Sequence, residues 1–478
     1  MNHVPETSIK RNFVYKSILT VSGYLVAFII FPYVSRILGV GNVGLVSFVD
    51  NTVQYFLLFA SMGINVLGVR EIARVKDDPA ARNRVFSNLM GVNLLFTLIT
   101  LLAYFVIVTL LPELNRYDEL FYIGSAKILF TAFLIEWFYT GMEDFRYITL
   151  RSVAVKILYV ISIFLFVKGP QDYRMYFYLT VAMTVVNSVI NLVHARGLVK
   201  VDFKEMFNFR YIGQNLTLGI YSVMTSMYLT FNVMYLGLMT GNVQVGYYTT
   251  AYKLYTVVVG LFSAFTSVML PRMSALVSGD QTDRFRRLVT RSFSAMSLFS
   301  IPLILCSLVM APQIVGVLAG PGYEGAVLPM RIIMPAVLFV GIAQVLALQI
   351  LMPLGKEKVL LAASVAGAVV AVTVNVLTVK TLQCVGSAVV LLCSESVVTM
   401  VYVVYIYRNR IVTLPWSELL KNLALSLPSV LVAAACAFLI DNEYISLAAG
   451  VVASAGVWAG MVLSFRREAL TDIIGLRR

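Results

Sequence analysis

Long apolar stretches recur along this chain from one end to the other, and their length limits what it can fold into. A membrane-spanning helix needs about 20 mostly apolar residues, whereas about one quarter of the residues in a soluble domain are charged. Of the 478 residues here, 59% are hydrophobic and only 13% are charged. The sequence therefore predicts an all-α polytopic membrane protein with about fourteen transmembrane helices. The connections between them are too short to hold an enzyme active site, so we expect a protein that is not an enzyme.

The predicted spans follow the apolar stretches and leave short polar connections between them. They are 14–35, 45–69, 88–111, 120–141, 152–168, 174–194, 213–239, 246–270, 292–315, 326–353, 358–379, 385–407, 422–440 and 445–464.

Lysine and arginine test this arrangement, because cytoplasmic loops of membrane proteins carry an excess of both. Most of the 37 basic residues fall in the N-terminus, in the predicted inner loops or in the C-terminus. The exceptions are Arg36, Arg116, Lys168, Arg174 and Lys380 in outer positions, and Lys127, Lys156, Lys253 and Arg331 within spans. This segregation predicts that both termini are cytoplasmic. The net charge of +13 then comes from loops that lie at the membrane surface, and no nucleic acid partner is needed to account for it.

The chain also contains an internal repeat. Gly41-Asn42-Val43-Gly44 recurs as Gly241-Asn242-Val243, followed by Gly246 after two further residues. An offset of 202 residues then relates four pairs, which are Gly44/Gly246, Arg70/Arg272, Arg82/Arg284 and Arg84/Arg286. This spacing predicts a six-helix unit used twice, with lobes at 1–205 and 206–412, followed by two additional helices and a cytoplasmic tail at 413–478. Transporters built from such repeats place the substrate path between the halves.

Five ionisable residues fall deep inside predicted spans, where a charge is costly. They are Asp50, Lys127, Lys253, Arg331 and Glu395. We favour a water-filled cavity as their environment, and a structural ion pair is the alternative. Arg36 ends the first span and is either an interfacial anchor or part of the same site. Lysine and arginine in a cavity suit an anionic ligand, because both donate charge-assisted hydrogen bonds to phosphate oxygens.

Two further charges and several polar residues bear on the same cavity. Glu136 and Lys156 lie near predicted cytoplasmic helix ends, and for Lys156 we favour snorkelling to the interface. Lys127 and Glu136 are nine residues apart on one helix and therefore face opposite sides, so they cannot pair with each other. The seventh and eighth spans are rich in amides, hydroxyls and tyrosines, among them Asn215 and Tyr252. Such groups suit sugars, although they also join helices to one another.

No pattern of metal or redox chemistry occurs in the sequence. The four cysteines are scattered without a CxxC or Cys/His spacing, and the two histidines are isolated. We therefore expect no metal, cofactor or disulfide framework.

Motifs along most of the chain resemble those of the polysaccharide (O-antigen type) flippases in the multidrug and oligosaccharidyl-lipid exporter superfamily. The segments that carry this resemblance are Pro32-Tyr33-Val34-Ser35-Arg36-Ile37-Leu38-Gly39, Leu58-Phe59-Ala60-Ser61-Met62-Gly63-Ile64, Gly68-Val69-Arg70-Glu71-Ile72-Ala73, Glu136-Trp137-Phe138-Tyr139, Gly141-Met142-Glu143-Asp144-Phe145, Val245-Gly246-Tyr247-Tyr248, Ala251-Tyr252-Lys253, Leu270-Pro271-Arg272 and Pro353-Leu354-Gly355-Lys356-Glu357-Lys358.

The resemblance implies a fold similar to that of the multidrug exporters, with two lobes that alternate access to the two sides of a bacterial inner membrane. It implies an oligosaccharide repeat unit on undecaprenyl diphosphate as the substrate, with membrane lipid, a polysaccharide polymerase and glycosyltransferases as partners. On this hypothesis the substrate contacts Arg36, Lys127, Asn215, Tyr252, Lys253 and Arg331, and the ion-coupling candidates are Asp50 and Glu395.

Three alternatives stay open at this point. A cation-coupled multidrug exporter predicts a cavity dominated by acids, and here the deep bases outnumber the deep acids. A lipid II flippase is a closer relative, but the motifs match the polysaccharide group better. A membrane-embedded polymerase or glycosyltransferase usually needs a long loop with acids or a metal, and no DxD-like motif occurs.

Overall fold

The computed structural model describes residues 6–279 and 281–466, and within these ranges it contains helices and no strand. It forms two compact units, Met1–Val243 and Gln244–Arg478. The lobe boundaries expected at 205 and 412 remain predictions.

The helices of the first unit pack around one long helix, α1, which contacts α3, α7 and α10. In chain order they are Glu6–Ser61 (α1), Ile64–Val75 (α2), Pro79–Leu110 (α3), Pro112–Asn115 (α4), Asp118–Thr131 (α5), Glu136–Gly141 (α6), Phe145–Phe166 (α7), Tyr173–Ala195 (α8), Phe203–Met206 (α9) and Ile212–Thr240 (α10).

In the second unit, α17 packs against both α12 and α18. The helices are Asn242–Ser278 (α11), Thr282–Val309 (α12), Ala311–Ala319 (α13), Val327–Ile333 (α14), Ala336–Gln344 (α15), Glu357–Arg408 (α16), Trp416–Leu439 (α17) and Glu443–Phe465 (α18). A π-helical segment, Val345–Leu351, follows α15.

The polytopic all-α prediction is confirmed. Ten helical stretches in the described part of the chain are long and apolar enough to cross a membrane. Two of them, α1 and α16, have 56 and 52 residues and contain a break, at Gly39 and Gln383. Each is therefore long enough to cross twice. The number fourteen stays a prediction.

Backbone breaks recur along the chain at the 202-residue spacing of the sequence repeat. Gly39 has φ 72° and ψ 165°, and Gly241, at the junction of α10 and α11, has φ 103° and ψ 173°. Essentially only glycine adopts this backbone region, because a Cβ atom clashes there. The fourth and tenth predicted spans are also interrupted at matching places, at 132–135 and 334–335. These equivalences support the repeat.

Alanine at Gly39 or Gly241 is expected to destabilise the protein by about 1–3 kcal/mol, because the side chain must adopt a backbone conformation reserved for glycine. Gly456 lies inside α18 with open space around it, so Gly456→Ala provides the matched control. Alanine is the better helix former, and this variant should gain up to about 1 kcal/mol. Thermal unfolding in detergent measures the three variants; equal stability of Gly39→Ala and wild type would contradict the expectation.

The break between α5 and α6 exposes carbonyl groups that neighbouring helices satisfy. Three side chains donate to these carbonyls: Ser188 Oγ to Phe130 O at 2.6 Å, Asn93 Nδ2 to Ala132 O at 3.1 Å, and Asn191 Nδ2 to Leu134 O. Non-helical backbone at membrane depth is tolerated only where such partners exist. The last residue of the break, Ile135, has φ 39°, which is a strained value for a β-branched residue.

Three predicted spans are interrupted inside the membrane-length stretch, and the same physical reason explains why the sequence did not predict these breaks. The second predicted span, 45–69, is divided by Met62, which has φ 37° and separates α1 from α2. The fourth, 120–141, consists of α5 and α6, and the tenth, 326–353, consists of α14, α15 and the π-helical segment. Apolar residues continue through these breaks, so hydropathy does not detect them.

Candidate functional site

Asp50 and Lys127 form an ion pair inside the first unit. Lys127 Nζ lies 2.5 Å from Asp50 Oδ1 and joins α5 to the second half of α1. The lysine side chain is 13% exposed and the aspartate 34%, so the pair is accessible mainly through its acid. A partly exposed pair of this kind can exchange partners with a ligand, since neither charge is fully desolvated.

Glu136 on α6 pairs with Arg151, whereas Lys127 on α5 pairs with Asp50, so the two residues have different partners. Arg151 Nη2 lies 2.6 Å from Glu136 Oε1 and 2.7 Å from Ser152 Oγ. The packing of α6 fixes this acid, because the next residues, Trp137 and Phe138, are buried in a core shared with α2 and α3.

Arg151 was not predicted as a site residue, because the predicted fifth span, 152–168, leaves this arginine in a loop. The helix α7 begins seven residues earlier, at Phe145, and Asp144 caps it by accepting a hydrogen bond from Tyr147 N. Aspartate before an apolar run is a recognised helix-start signal and could have revealed the longer helix.

Lys156 lies on the same helix and bonds to α1. Its Nζ donates to Leu19 O at 3.1 Å and to Ser22 Oγ at 2.9 Å. It is also close enough to Glu136 and Arg151 to interact with both electrostatically. The ammonium group of Lys156 therefore joins α7 to α1. Snorkelling of Lys156 to the interface stays a prediction.

Arg36 and Arg331 are both exposed, and each donates to a main-chain carbonyl of its own unit. Arg36 Nη1 donates to Pro32 O at 2.8 Å, and Arg36 lies about one turn before the break at Gly39. Arg331 Nε, on the short helix α14, bonds Leu308 O at 3.0 Å. The roles of Arg36 and Arg331 in binding an anionic ligand stay predictions.

Tyr252, Lys253 and Glu395 belong to the second unit. Tyr252 is half-buried and stacks on Tyr248, with ring centroids 5.8 Å apart. Lys253 is exposed, although it lies in the interior of the apolar helix α11. Glu395 on α16 is buried at 6% exposure and is near enough to Tyr252 to interact with it electrostatically. The contacts of Tyr252 with a sugar and of Lys253 with a phosphate stay predictions.

Asn215 is 1% exposed on α10. Neither its Nδ2 nor its Oδ1 has a hydrogen-bond partner among the residues that the structure describes. The contact of Asn215 with a sugar stays a prediction. No group of three His, Cys, Asp or Glu side chains that could hold a metal ion occurs in the described ranges.

Known proteins share both the sequence pattern and the fold of this chain. The pattern of a family described as polysaccharide biosynthesis protein matches residues 9–277. A candidate O-antigen transporter of Escherichia coli (strain K12) is 24% identical over 84% of this chain and 98% of its own length. A candidate O-antigen transporter of Shigella dysenteriae is 24% identical over 76% of this chain and 90% of its own length.

Two solved structures extend the comparison to the fold. The lipid II flippase MurJ, in an inward closed conformation, superposes with a TM-score of 0.77 at 15% identity, over 96% of this chain and 99% of its own. An inward-facing multidrug resistance transporter of the MATE family gives a TM-score of 0.64 at 14% identity, over 83% of this chain and 96% of its own. The exporter-type fold predicted from the motifs is therefore confirmed.

Proposed function

Since this chain belongs to the polysaccharide biosynthesis protein family, we propose that it translocates undecaprenyl-diphosphate-linked oligosaccharide repeat units. The direction is from the cytoplasmic to the outer leaflet of a bacterial inner membrane, for surface polysaccharide synthesis. The observation that carries the proposal is the match over nearly the whole length of two relatives named as candidate O-antigen transporters. These relatives are named as transporters and not as enzymes, which fits a protein that moves its substrate unchanged.

The proposed mechanism is alternating access through a cationic cavity, with both chain termini cytoplasmic. The diphosphate binds to Arg36, Lys127, Lys253 and Arg331, because lysine and arginine satisfy phosphate oxygens with charge-assisted hydrogen bonds. Tyr252 and Asn215 contact the sugars, and the lipid chain stays in the bilayer. Support comes from the exposure of Lys253 within an apolar helix, which is costly in lipid.

Asp50 and Glu395 are the proposed coupling acids. Asp50 holds Lys127 at 2.5 Å, so a phosphate that binds this lysine competes with the aspartate. Once the phosphate binds Lys127, the Asp50 carboxylate no longer has this lysine as its counter-charge. A proton or sodium ion then binds to Asp50 and neutralises it. Binding of the ion and of the substrate would then favour each other, as coupled transport requires.

Deletion of the gene in its own bacterium, with plasmid-borne rescue, tests this function. We expect the deletion strain to lose mature surface polysaccharide and to accumulate lipid-linked repeat units on the cytoplasmic side, and the intact gene to reverse both. Normal surface polysaccharide in the deletion strain would refute the proposal. Raised drug sensitivity without a polysaccharide defect would favour the multidrug exporter, and rescue of a strain that lacks its lipid II flippase would favour that alternative. Polymerase or glycosyltransferase activity of the purified protein would favour an enzyme.

A further inference from the structure

A second group of charges lies in the first unit, apart from the residues assigned above. It consists of Glu136 on α6 and of Arg151 and Lys156 on α7, and we call it the inner basic cluster. With one acid and two bases its formal charge is +1. It lies next to the strained break at Ile135, and strained backbone is concentrated at functional sites.

Arg151 is the member that indicates a ligand. Its side chain is only 4% exposed, whereas the side chain of Glu136 is 42% exposed. Nη2 is occupied by Glu136 and Ser152. Nε and Nη1 are buried and have no hydrogen-bond partner among the side chains and backbone of the described residues. A buried guanidinium with unsatisfied N–H groups is unfavourable, because each group has lost its water without a replacement.

The chemistry of the missing partner follows from the donors. Guanidinium N–H groups donate and cannot accept, so the partner is an acceptor. Glu136 neutralises only one of the two positive charges, since Lys156 bonds to neutral oxygens of Leu19 and Ser22. A negatively charged acceptor is therefore favoured over a carbonyl. A phosphate oxygen meets both requirements, and the planar guanidinium matches its geometry.

We infer that the inner basic cluster is a phosphate-binding subsite, in which Arg151 and Lys156 receive the diphosphate of the transported lipid and the exposed Glu136 holds Arg151 in place when the subsite is empty. The identity of the ligand rests on the proposed function. Arg151 belongs to the residues that the topology prediction places near the cytoplasmic side, where the substrate would first meet the protein.

Binding of labelled inorganic pyrophosphate to the full-length protein, in nanodiscs of phosphatidylcholine, tests the subsite. The informative variant is Glu136→Gln with Arg151→Gln, because it removes both charges of the pair and leaves no buried charge unpaired. We expect at least a tenfold loss of affinity. Arg146→Gln is the matched control, since Arg146 is an exposed arginine on the same helix, and it should bind as wild type does. Equal binding by wild type and the double variant, or no binding by wild type, would overturn the inference.

Two competitors distinguish the source of the phosphate. A short-chain lipid diphosphate should displace pyrophosphate more strongly than phosphatidylglycerol added to the nanodiscs. Displacement by phosphatidylglycerol at equal strength would overturn the assignment to the transported lipid and indicate a phospholipid headgroup.

Export assays separate this inference from the proposed function. If the wild-type gene does not restore polysaccharide to the deletion strain, the proposed function fails. If the wild-type gene and the Glu136→Gln, Arg151→Gln gene restore it equally, the function stands and the subsite fails.

Discussion

Replacement of Lys253 or Arg331 by alanine is expected to reduce polysaccharide export at least tenfold in the deletion strain. Hydrogen bonds to charged groups contribute about 1.5–3 kcal/mol each, and about 1.4 kcal/mol corresponds to a factor of ten in affinity. Both side chains are exposed, so their removal leaves no cavity in the core and should not lower the amount of protein. The measurement is surface polysaccharide per cell, normalised to the level of the protein in the membrane.

Conservative variants make this prediction sharper. Lys253→Met keeps the apolar length and should fail as alanine does, whereas Lys253→Arg keeps the charge and should retain part of the export. Arg287→Ala is the matched control, because Arg287 is an exposed base near the start of α12 that has no assigned role. Normal export by Lys253→Met at a normal protein level would exclude this lysine from the mechanism, and the same result for Arg331→Ala would exclude that arginine.

The elements of this fold that sequence alone predicts are those with a long apolar signal. Each of the ten apolar stretches overlaps a predicted span, because the cost of exposing backbone in lipid makes a continuous helix the default. The breaks at Gly39, Met62 and Ile135 depend on backbone conformation and on partners such as Asn191. Those partners are distant in sequence, so the apolar pattern contains no information about them.

The candidate site, like the fold, was predictable from the sequence only in part. The prediction that Glu136 and Lys127 do not pair agrees with the structure, but it assumed one continuous helix, and the break at 132–135 separates the two residues. Helix geometry could not identify their actual partners, since Asp50 is 77 residues from Lys127.

The role of Arg151 could not be predicted for another reason. An arginine in a cytoplasmic loop is ordinary in a membrane protein and indicates no buried site. Arg151 is buried because α7 begins at Phe145, which places this arginine inside the helix.

The second large effect is expected at Arg466, which joins the end of α18 to α17. Its guanidinium bonds Glu418 and, at 3.0 Å, Asn422 Oδ1, both on α17. Asn422 Nδ2 in turn donates to Ser297 Oγ on α12 at 2.7 Å. The network is largely buried, with 19% exposure for the side chain of Arg466 and 14% for that of Glu418.

Apolar packing accompanies this network, because Leu298 on α12, Leu425 on α17 and Val462 on α18 form a buried cluster. An apolar cavity of about 350 Å³ lies beside these helices, and its walls include Pro302, Ser429 and Trp458. A cavity forfeits the dispersion contacts that adjoining side chains would otherwise make. We therefore expect the polar network to add to the attachment of α17 and α18 by the apolar cluster.

Arg466→Met is accordingly expected to destabilise the protein by about 1.5–3 kcal/mol, because it removes the charge-assisted hydrogen bond to Glu418 and leaves that carboxylate with Lys421 and Ser294 alone. Adding Glu418→Gln should recover most of this loss, since the double variant contains no uncompensated charge. Lys421→Met removes the other, exposed partner of Glu418 and should cost no more than about 1 kcal/mol. Thermal unfolding in detergent measures all three. A loss in the double variant as large as in Arg466→Met would show that the arginine acts through packing and not through its charge.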